Sequence, residues 1–252
     1  MNNQEITRTN NLTCPRCQLS HIKRNGHTYY GKQNHRCLDC GRQFVIRQKT
    51  VPSVTEQLIC RLLLERISLR GICRVCGIHL CWLMNFISQL YRQVADDLNF
   101  LMPDEAEFEV LCLEADELWS FVGAKKNKRW IWLMIERTTY QVVAVHIGDR
   151  SELSALALWQ KVPVEVRRQA IVLTDKWDAY AVAIPGNQHT ACDKKSGQTS
   201  LIEGFNCTLR QRVSRLVRKT LSFSKNDRNH QGAIKYFLSN RNLERQRICF
   251  SH

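Results

Sequence analysis

The spacing of hydrophobic positions changes twice along the chain and divides it into three segments. Residues up to about 48 are polar and punctuated by cysteine and glycine. After Ser53 the apolar residues recur at helical spacing, whereas from Phe108 they form short runs typical of buried strands. The pattern predicts a small Cys-rich module at 1–48, a helical domain at 49–100, a linker at 101–107 and a larger domain at 108–252.

Three helices are predicted in the middle segment. Residues 53–56, Ser-Val-Thr-Glu, have the form of a capping box and begin the first helix. A short helix over 68–75 stops at Gly77, and a longer one runs from Leu80 to about Leu98. Two amphipathic helices joined by a glycine turn have the layout of a helix-turn-helix, although plain helical bundles also contain such pairs.

The last segment predicts an α/β fold with a mixed sheet. Apolar runs at 108–116, 129–137 and 139–147 are separated by short turns, which indicates three antiparallel strands. A helix over 151–161 leads to a fourth apolar run at 170–174, and such a crossover favours parallel pairing. The order is βββαβ, followed by a long helix from about Leu201 and a basic tail.

The charge balance favours a polyanionic partner. The chain contains 37 Lys and Arg against 23 Asp and Glu, a formal net charge of +14. No apolar run approaches the roughly 18 residues that a membrane-spanning helix requires, and the first residues lack an apolar signal core. We therefore expect a cytoplasmic protein that binds nucleic acid and no membrane.

Four of the twelve cysteines form two CxxC pairs, Cys14 with Cys17 and Cys37 with Cys40. In a reducing compartment such pairs more often bind metal than form disulfides. Each tight turn directs two sulfurs to one point, so the two pairs can surround one tetrahedral zinc ion. The spacing predicts a structural zinc ribbon.

A further CxxC pair, Cys73 and Cys76, lies near His79 and Cys81. These positions fall on or beside a predicted helix that needs apolar residues there. Buried structural cysteines are therefore favoured over a second metal site.

Carboxylates at the ends of apolar strands are the candidate catalytic groups. Asp116 ends the first predicted strand and Asp175 ends the fourth, where an unpaired charge would be costly. Ligands bind at the carboxyl ends of strands in open α/β sheets, so the two aspartates can share a cation. Glu203, Asn206 and Arg210 form one stripe on the following helix. Three such carboxylates suit phosphodiester chemistry with two magnesium ions, whereas the simpler interpretation is that each aspartate caps a turn.

Basic residues mark candidate DNA contacts. From Gly204 onward there are eleven Arg or Lys and two acids, which is more than a solvated face requires. The helix that carries Glu203 is predicted to continue past Leu216. The candidate DNA-binding residues, two in the predicted helix-turn-helix and four in the basic tail, are Arg70, Arg74, Arg212, Arg215, Arg218 and Lys219.

The sequence resembles the transposases of insertion-sequence family one, which are encoded by short bacterial mobile elements. The matching motifs are CPRC and RCLDCGRQF at the CxxC pairs, ERISLRGICRVCGI in the helical segment, ADELWSFVG around Asp116, LTDKWDAY around Asp175, and IEGFNCTLRQRVSRLVRKTLSFSK around Glu203. Together they span nearly the whole chain. The resemblance implies a ribonuclease-H-like catalytic domain (βββαβα) preceded by a zinc ribbon and a helix-turn-helix.

The resemblance also implies an activity, cleavage and strand transfer at the terminal inverted repeats of an element. It places the family's acidic triad on Asp116, Asp175 and Glu203, with Asn206 and Arg210 as helpers. The cofactors expected are one structural Zn²⁺ and catalytic Mg²⁺, two ions that Mn²⁺ could replace. The partners expected are double-stranded DNA, as element ends and as target, and further copies of the chain in a homo-oligomer at the bacterial nucleoid.

Two other functions stay open from the sequence. A domesticated or inactive relative would keep the DNA-binding modules and act as a regulator, which the intact triad argues against. A structure-selective nuclease or resolvase would share the metal chemistry but would hydrolyse DNA without strand transfer.

Overall fold

The computed structural model describes residues 12–45, 51–103, 110–193, 196–216 and 222–249. The chain divides into two compact units, residues 1–53 and 54–252. The second unit contains residues 54–100 of the segment predicted as a helical domain and all of the segment predicted as an α/β domain. Residues 104–107 of the predicted linker lie outside the described residues.

The first unit is a three-stranded antiparallel sheet, β1 (Ile22–His27), β2 (Gln33–Cys37) and β3 (Gln43–Val45), in that order. Gly41, in the turn between β2 and β3, has a φ of 69°, a left-handed conformation that glycine adopts without steric cost. Between residues 12 and 45 the buried apolar side chains are those of Cys14 and Cys37. The hydrophobic core of this unit is therefore minimal.

Three helices follow, α1 (Ser53–Leu62), α2 (Leu69–Cys76) and α3 (Leu80–Arg92). Ser68 caps α2 by accepting a hydrogen bond from the Gly71 N–H, and Gly77 ends it with a φ of 64°. The prediction that α3 reaches Leu98 is wrong. Leu98 is buried but has a φ of 57°, so it lies in a turn after the helix. Its side chain still packs in the core, which is why the spacing of apolar residues predicted a longer helix.

The angle between α2 and α3 is 113° across residues 77–79. Within the described residues no single helix is long and apolar enough to cross a bilayer, although α2 and α3 taken together as a bent pair meet that length and composition test.

The second unit contains a five-stranded mixed sheet in the order β6-β5-β4-β7-β8. Its strands are β4 (Leu111–Phe121), β5 (Lys128–Glu136), β6 (Val142–Gly148), β7 (Ala170–Thr174) and β8 (His189–Ala191). Strands β4, β5 and β6 form an antiparallel meander, whereas β7 runs parallel to both β4 and β8. The predicted βββαβ order and mixed sheet are confirmed. The three-residue strand β8 was not predicted because it is short and carries no apolar run.

Helices cover both faces of this sheet. On one face α4 (Glu152–Lys161), α5 (Val164–Gln169) and α6 (Asp178–Ala183) pack on alternate residues of the strands, such as Leu113 and Trp132. On the other face α7 (Ser200–Arg212) and α8 (Asp227–Cys249) pack on the intervening residues, such as Leu118 and Leu133. Burial on both faces explains why the strands appear in the sequence as continuous apolar runs.

Two features of α7 and α8 matter for the site. The prediction that the Glu203 helix continues past Leu216 is wrong, since α7 ends at Arg212 and Leu216 is buried from a turn. Helix α8 also connects the sheet to α1–α3, because the Tyr236 hydroxyl donates to the Cys60 carbonyl at 3.1 Å and the Tyr91 and Tyr236 rings lie 5.9 Å apart.

Candidate active site and metal-binding cluster

The four cysteines of the two CxxC pairs come together in the first unit. The Sγ atoms of Cys14 and Cys40 lie 3.5 Å apart, those of Cys17 and Cys37 lie 3.6 Å apart, and all four are within 4.8 Å of one another. Four thiolates about 2.3 Å from one tetrahedral zinc ion would have sulfurs about 3.8 Å apart. The cluster therefore has the size and ligand type of a single tetrahedral metal site.

The second CxxC pair does not form such a cluster. In the part of the chain that the structure describes, the first-unit cysteines are the one group of three or more His, Cys, Asp or Glu with ligand atoms this close. Cys73 and Cys76 are half-buried and Cys81 is exposed. The expectation of a buried structural cysteine is therefore wrong for Cys81, whose side chain points away from the core side of α3.

Asp116 lies inside a strand, and the expectation that it ends the strand is wrong. Strand β4 continues to Phe121 because it pairs with β5 along its whole length, with Asp116 opposite Leu133. The parallel pairing of β4 with β7, however, stops at Glu114. Asp116 therefore lies just beyond the point where these two strands separate, at the edge where a ligand can enter.

Asp175 directly follows β7 at the same edge of the sheet. Its Oδ1 accepts a hydrogen bond from the Trp177 N–H at 3.0 Å, which shapes the turn before α6. Its negative charge is one of those that raise the pKa of Asp116 to about 6. Burial of the Asp116 carboxyl is the largest cause of that shift and the Glu117 charge is the next. The Asp175 charge therefore acts on the Asp116 carboxyl, with a smaller effect than burial and the Glu117 charge.

Helix α7 brings its polar stripe to the same face of β4. Asn206 donates from Nδ2 to Asp116 Oδ2 at 2.7 Å, and Thr199 donates its hydroxyl to Glu203 Oε1 at 3.3 Å. Glu203 is exposed, one turn before Asn206, and Arg210 is half-buried two turns after Glu203. All five predicted catalytic residues therefore lie on β4, on the turn after β7, or on the helix packed beside Asp116.

Glu114 is a buried residue of the site whose role the sequence did not reveal. It is fully buried, its Oε2 accepts the Ile202 N–H at 3.0 Å, and its Oε1 lies 3.0 Å from Arg137 Nε. Burial raises the pKa of its carboxyl. By holding the first turn of α7 on β4, Glu114 fixes where Glu203 and Asn206 stand relative to Asp116.

The candidate DNA-binding residues have different environments. Arg70 and Arg74 are exposed on α2. Arg212 pairs with Glu65 at 2.6 Å and lies over the Phe237 ring, so its guanidinium already has partners within the chain. Arg218 and Lys219 lie outside the described residues.

Two of the candidate DNA-binding residues, Arg70 and Arg215, line a groove of about 640 Å³. It is lined by the first residues of α2 and α3, by 214–215, and by residues 222–229 around the start of α8, and its lining contains no Asp or Glu. The basic residues that line it are Arg70, Arg215 and Lys225.

Comparison with known proteins identifies a matching family and several relatives of this chain. Residues 109–244, which include every predicted catalytic residue, match the family model described as IS1 transposase. The protein InsB of insertion element IS1 4 from Escherichia coli (strain K12) is 35% identical over 131 residues, which cover 52% of this chain and 75% of that protein. The IS1 protein InsB of Shigella flexneri is 34% identical over 136 residues, 52% of this chain and 95% of that protein.

Two solved structures are more distantly similar. The catalytic core domain of the HTLV-2 integrase in complex with magnesium aligns with 48% of this chain and 81% of that chain, at 10% identity and a TM-score of 0.34. A chain of the simian T-cell lymphotropic virus intasome in complex with PP2A regulatory subunit B56 gamma aligns with 71% of this chain and 66% of that chain, at 11% identity and a TM-score of 0.38. The family model, by contrast, matches more than half of the sequence, and together with the InsB relatives it shows that the chain belongs to the IS1 transposase family.

Proposed function

We propose that this transposase cuts and rejoins DNA strands at the terminal inverted repeats of a mobile element, with Asp116, Asp175 and Glu203 as ligands of the catalytic metal. The observation that carries the proposal is the placement of two aspartates where β4 and β7 separate, with α7 bonded to one of them through Asn206. If each aspartate only capped a turn, there would be no reason for the second aspartate to lie at the same edge of the sheet or for Asn206 of α7 to bond to Asp116.

The types of residue at this edge suit a divalent cation, but in the described chain the three carboxylates are not gathered as closely as the four cysteine sulfurs are. Carboxylate oxygens are the ligands that Mg²⁺ prefers, and a nearby cation favours the ionised form of a carboxyl whose pKa burial and like charges have raised. The Oδ1 atom of Asn206 is a further buried oxygen, with no hydrogen-bond partner among the described residues. When bound, two Mg²⁺ ions, or Mn²⁺ in their place, would activate the attacking oxygen and stabilise the leaving one.

The chain's own residues divide the remaining tasks. Asn206 orients Asp116 through its 2.7 Å hydrogen bond. Arg210, on the same stripe of α7 as Glu203, would hold a DNA phosphate near the metal. The strand order β6-β5-β4-β7-β8, a meander extended by parallel strands, supports a ribonuclease-H-like catalytic domain at 108–252.

The other modules would bind the DNA. The 113° angle between α2 and α3, across a three-residue turn with Gly77, supports a helix-turn-helix at 49–100, which would present the exposed Arg70 and Arg74 to DNA. Residues 1–48 would form a ribbon around one structural zinc. Arg212, Arg215, Arg218 and Lys219 would contribute backbone contacts, and the groove lined by Arg70, Arg215 and Lys225 offers one path for a DNA strand.

Strand transfer requires two DNA ends and a target to be held together. We therefore infer a homo-oligomer assembled on DNA, acting at the nucleoid in the bacterial cytoplasm.

The test is cleavage and joining of labelled element ends in Mg²⁺, beside a gel-shift on the same DNA. Asp116→Asn, Asp175→Asn and Glu203→Gln each remove one anionic ligand while keeping side-chain size, so we expect cleavage and joining to be lost and end binding to remain. Asp178→Asn is the matched control, because Asp178 is exposed in the first turn of α6, three residues from Asp175. Strand joining by the triad variants would refute these three residues as the catalytic metal ligands. A wild-type chain that binds ends but does not cut them with any divalent ion would favour the regulator function instead.

A further inference from the structure

Glu117 makes a closed set of contacts on the face of the sheet opposite α7. Its side chain is 2% exposed. Arg150 donates from Nε, at 2.9 Å, and from Nη2 to the Oε1 atom of Glu117, while the Tyr180 hydroxyl of α6 donates to Oε2 at 3.0 Å. A buried carboxylate held by a guanidinium on one oxygen and a phenol on the other has one strongly preferred position.

The guanidinium of Arg150 is itself fixed between two indole rings. Its Cζ atom lies 4.6 Å from the centre of the Trp130 ring and 4.0 Å from that of Trp177. A planar guanidinium is suited to such stacking, which an ammonium cannot reproduce. The preceding residue is also anchored, because Trp132 donates from Nε1 to the Asp149 carbonyl at 2.8 Å.

Arg150 contacts a neighbour of each aspartate of the candidate active site. Glu117 directly follows Asp116 in β4, and Trp177 donates its backbone N–H to Asp175 Oδ1 at 3.0 Å. The hydrogen bonds that pair β4 with β7 have already stopped at this level of the sheet. Arg150, with Tyr180, therefore connects β4 to the Asp175 turn where backbone pairing no longer does so.

We propose that Arg150 is a positioning residue for the catalytic metal site. Through Glu117 on one side and Trp177 on the other, it holds the Asp175 turn against β4 and so sets the separation of the Asp116 and Asp175 carboxylates. The inference rests on the proposed function, which makes these two residues metal ligands. Groups that orient metal ligands from outside change metal affinity or activity by about 10- to 100-fold when removed.

The test is Arg150→Lys in the full chain. The lysine keeps a positive charge beside Glu117 but loses the planar group between the indoles and the paired N–H donors. We expect the Mn²⁺ affinity measured by calorimetry to fall about 10-fold or more, the Mn²⁺ concentration for half-maximal cleavage to rise by the same factor, and end binding to stay unchanged. The matched control is Arg245→Lys on α8, which alters a guanidinium 4.8 Å from the Tyr140 ring and should leave Mn²⁺ affinity as it is.

A second variant tests the same contact in case Arg150→Lys does not fold. Glu117→Gln combined with Arg150→Gln removes both charges, leaves no unpaired buried ion, and should show the same loss of Mn²⁺ affinity. Wild-type affinity in either variant, once thermal unfolding shows that it is folded, overturns the proposal. Loss of end binding with unchanged Mn²⁺ affinity also overturns it and makes Arg150 a DNA contact. If Asp175→Asn removes no Mn²⁺ binding from the wild-type chain, the proposed function itself fails together with this inference.

Discussion

At the scale of single residues, the acidic cluster in β4 shows how side-chain direction separates neighbours of the same chemistry. Glu114 and Asp116 point to the face covered by α7, where one anchors that helix and the other faces its polar stripe. Glu117 points to the opposite face and bonds to Arg150. The alternation of apolar and acidic residues in LEAD, residues 113–116, does place Glu114 and Asp116 on one face. The sequence alone could not show which of the two anchors a helix, because the α7 residues that they contact lie about 90 positions away. The bond to Arg150 makes Glu117→Gln a poor control for the triad variants.

Buried His230 gives a pH prediction at the same scale. Its ring nitrogens lie 3.3 Å from the hydroxyls of Ser120 and Ser224, and burial lowers its pKa to about 4. Below pH ~6.5 the imidazole of His230 is protonated in the unfolded chain, whereas in the folded chain it stays neutral until about pH 4. The free energy of unfolding should therefore fall by about 3 kcal/mol as the pH is lowered through this range, and should not change through His230 above it.

The measurement is urea unfolding at pH 7 and pH 5 for the wild type and for His230→Gln, with the second unit followed by tryptophan fluorescence. Other groups titrate in the same range, but they are common to both proteins, so the difference in slope belongs to His230. Equal pH dependence of the two proteins would show that His230 is charged or accessible in the folded state.

At the scale of elements, the contact between α3 and α8 depends on Gly232, because this glycine has no side chain and lets Tyr91 pack directly against the α8 backbone. A Cβ on Gly232 of α8 would stand 2.6 Å from Cγ and 2.8 Å from Cβ of Tyr91 on α3. We expect Gly232→Ala to destabilise the second unit by about 1–3 kcal/mol, because overpacking outweighs the better helix propensity of alanine. Thermal or urea unfolding measures this change.

The matched control for Gly232 lies on α7. A Cβ on Gly204 would meet nothing within 4 Å, so Gly204→Ala should stabilise the fold by up to about 1 kcal/mol. If Gly232→Ala is as stable as the wild type, α3 must be free to move away from α8, and the helices α1–α3 would not be packed as one body with the sheet.

Most of the longer helices and strands were predictable from the sequence, whereas their ends were not. The short elements α5, α6 and β8 were not predicted, and helix α8 lies in the segment described only as a basic tail. Hydrophobic period and a capping box located α1 and α2, and continuous apolar runs located β4, β5, β6 and β7. The ends of α3 and α7 were placed too late, because Leu98 and Leu216 enter the core from turns at positions that a helix would also bury. Strand β4 was ended too early for a related reason, since Asp116 and Glu117 interrupt the apolar run but not the pairing with β5.

At the scale of the whole molecule, the two compact units are stabilised by different means. The second unit buries two hydrophobic clusters, one on each face of its sheet. Between residues 12 and 45 the first unit buries the apolar side chains of Cys14 and Cys37 and no others, so burial alone offers little against the conformational entropy of its chain. The four clustered thiols would supply the missing stability by binding zinc, an interaction worth about 10–16 kcal/mol in small zinc domains.

The metal content of the chain tests this division. We expect about one zinc per chain by elemental analysis, and we expect a chelator to make residues 12–45 sensitive to protease while residues 54–252 remain resistant. Cys14→Ser combined with Cys37→Ser should lose the zinc and show the same cleavage without chelator. Cys81→Ser is the matched control, since this exposed cysteine lies outside the cluster and should leave the zinc content unchanged. Full zinc content in the double variant would mean that other groups bind the metal. Protease resistance of the zinc-free first unit would mean that its sheet is stable on its own hydrogen bonds, and either result would refute the zinc ribbon as the source of its fold.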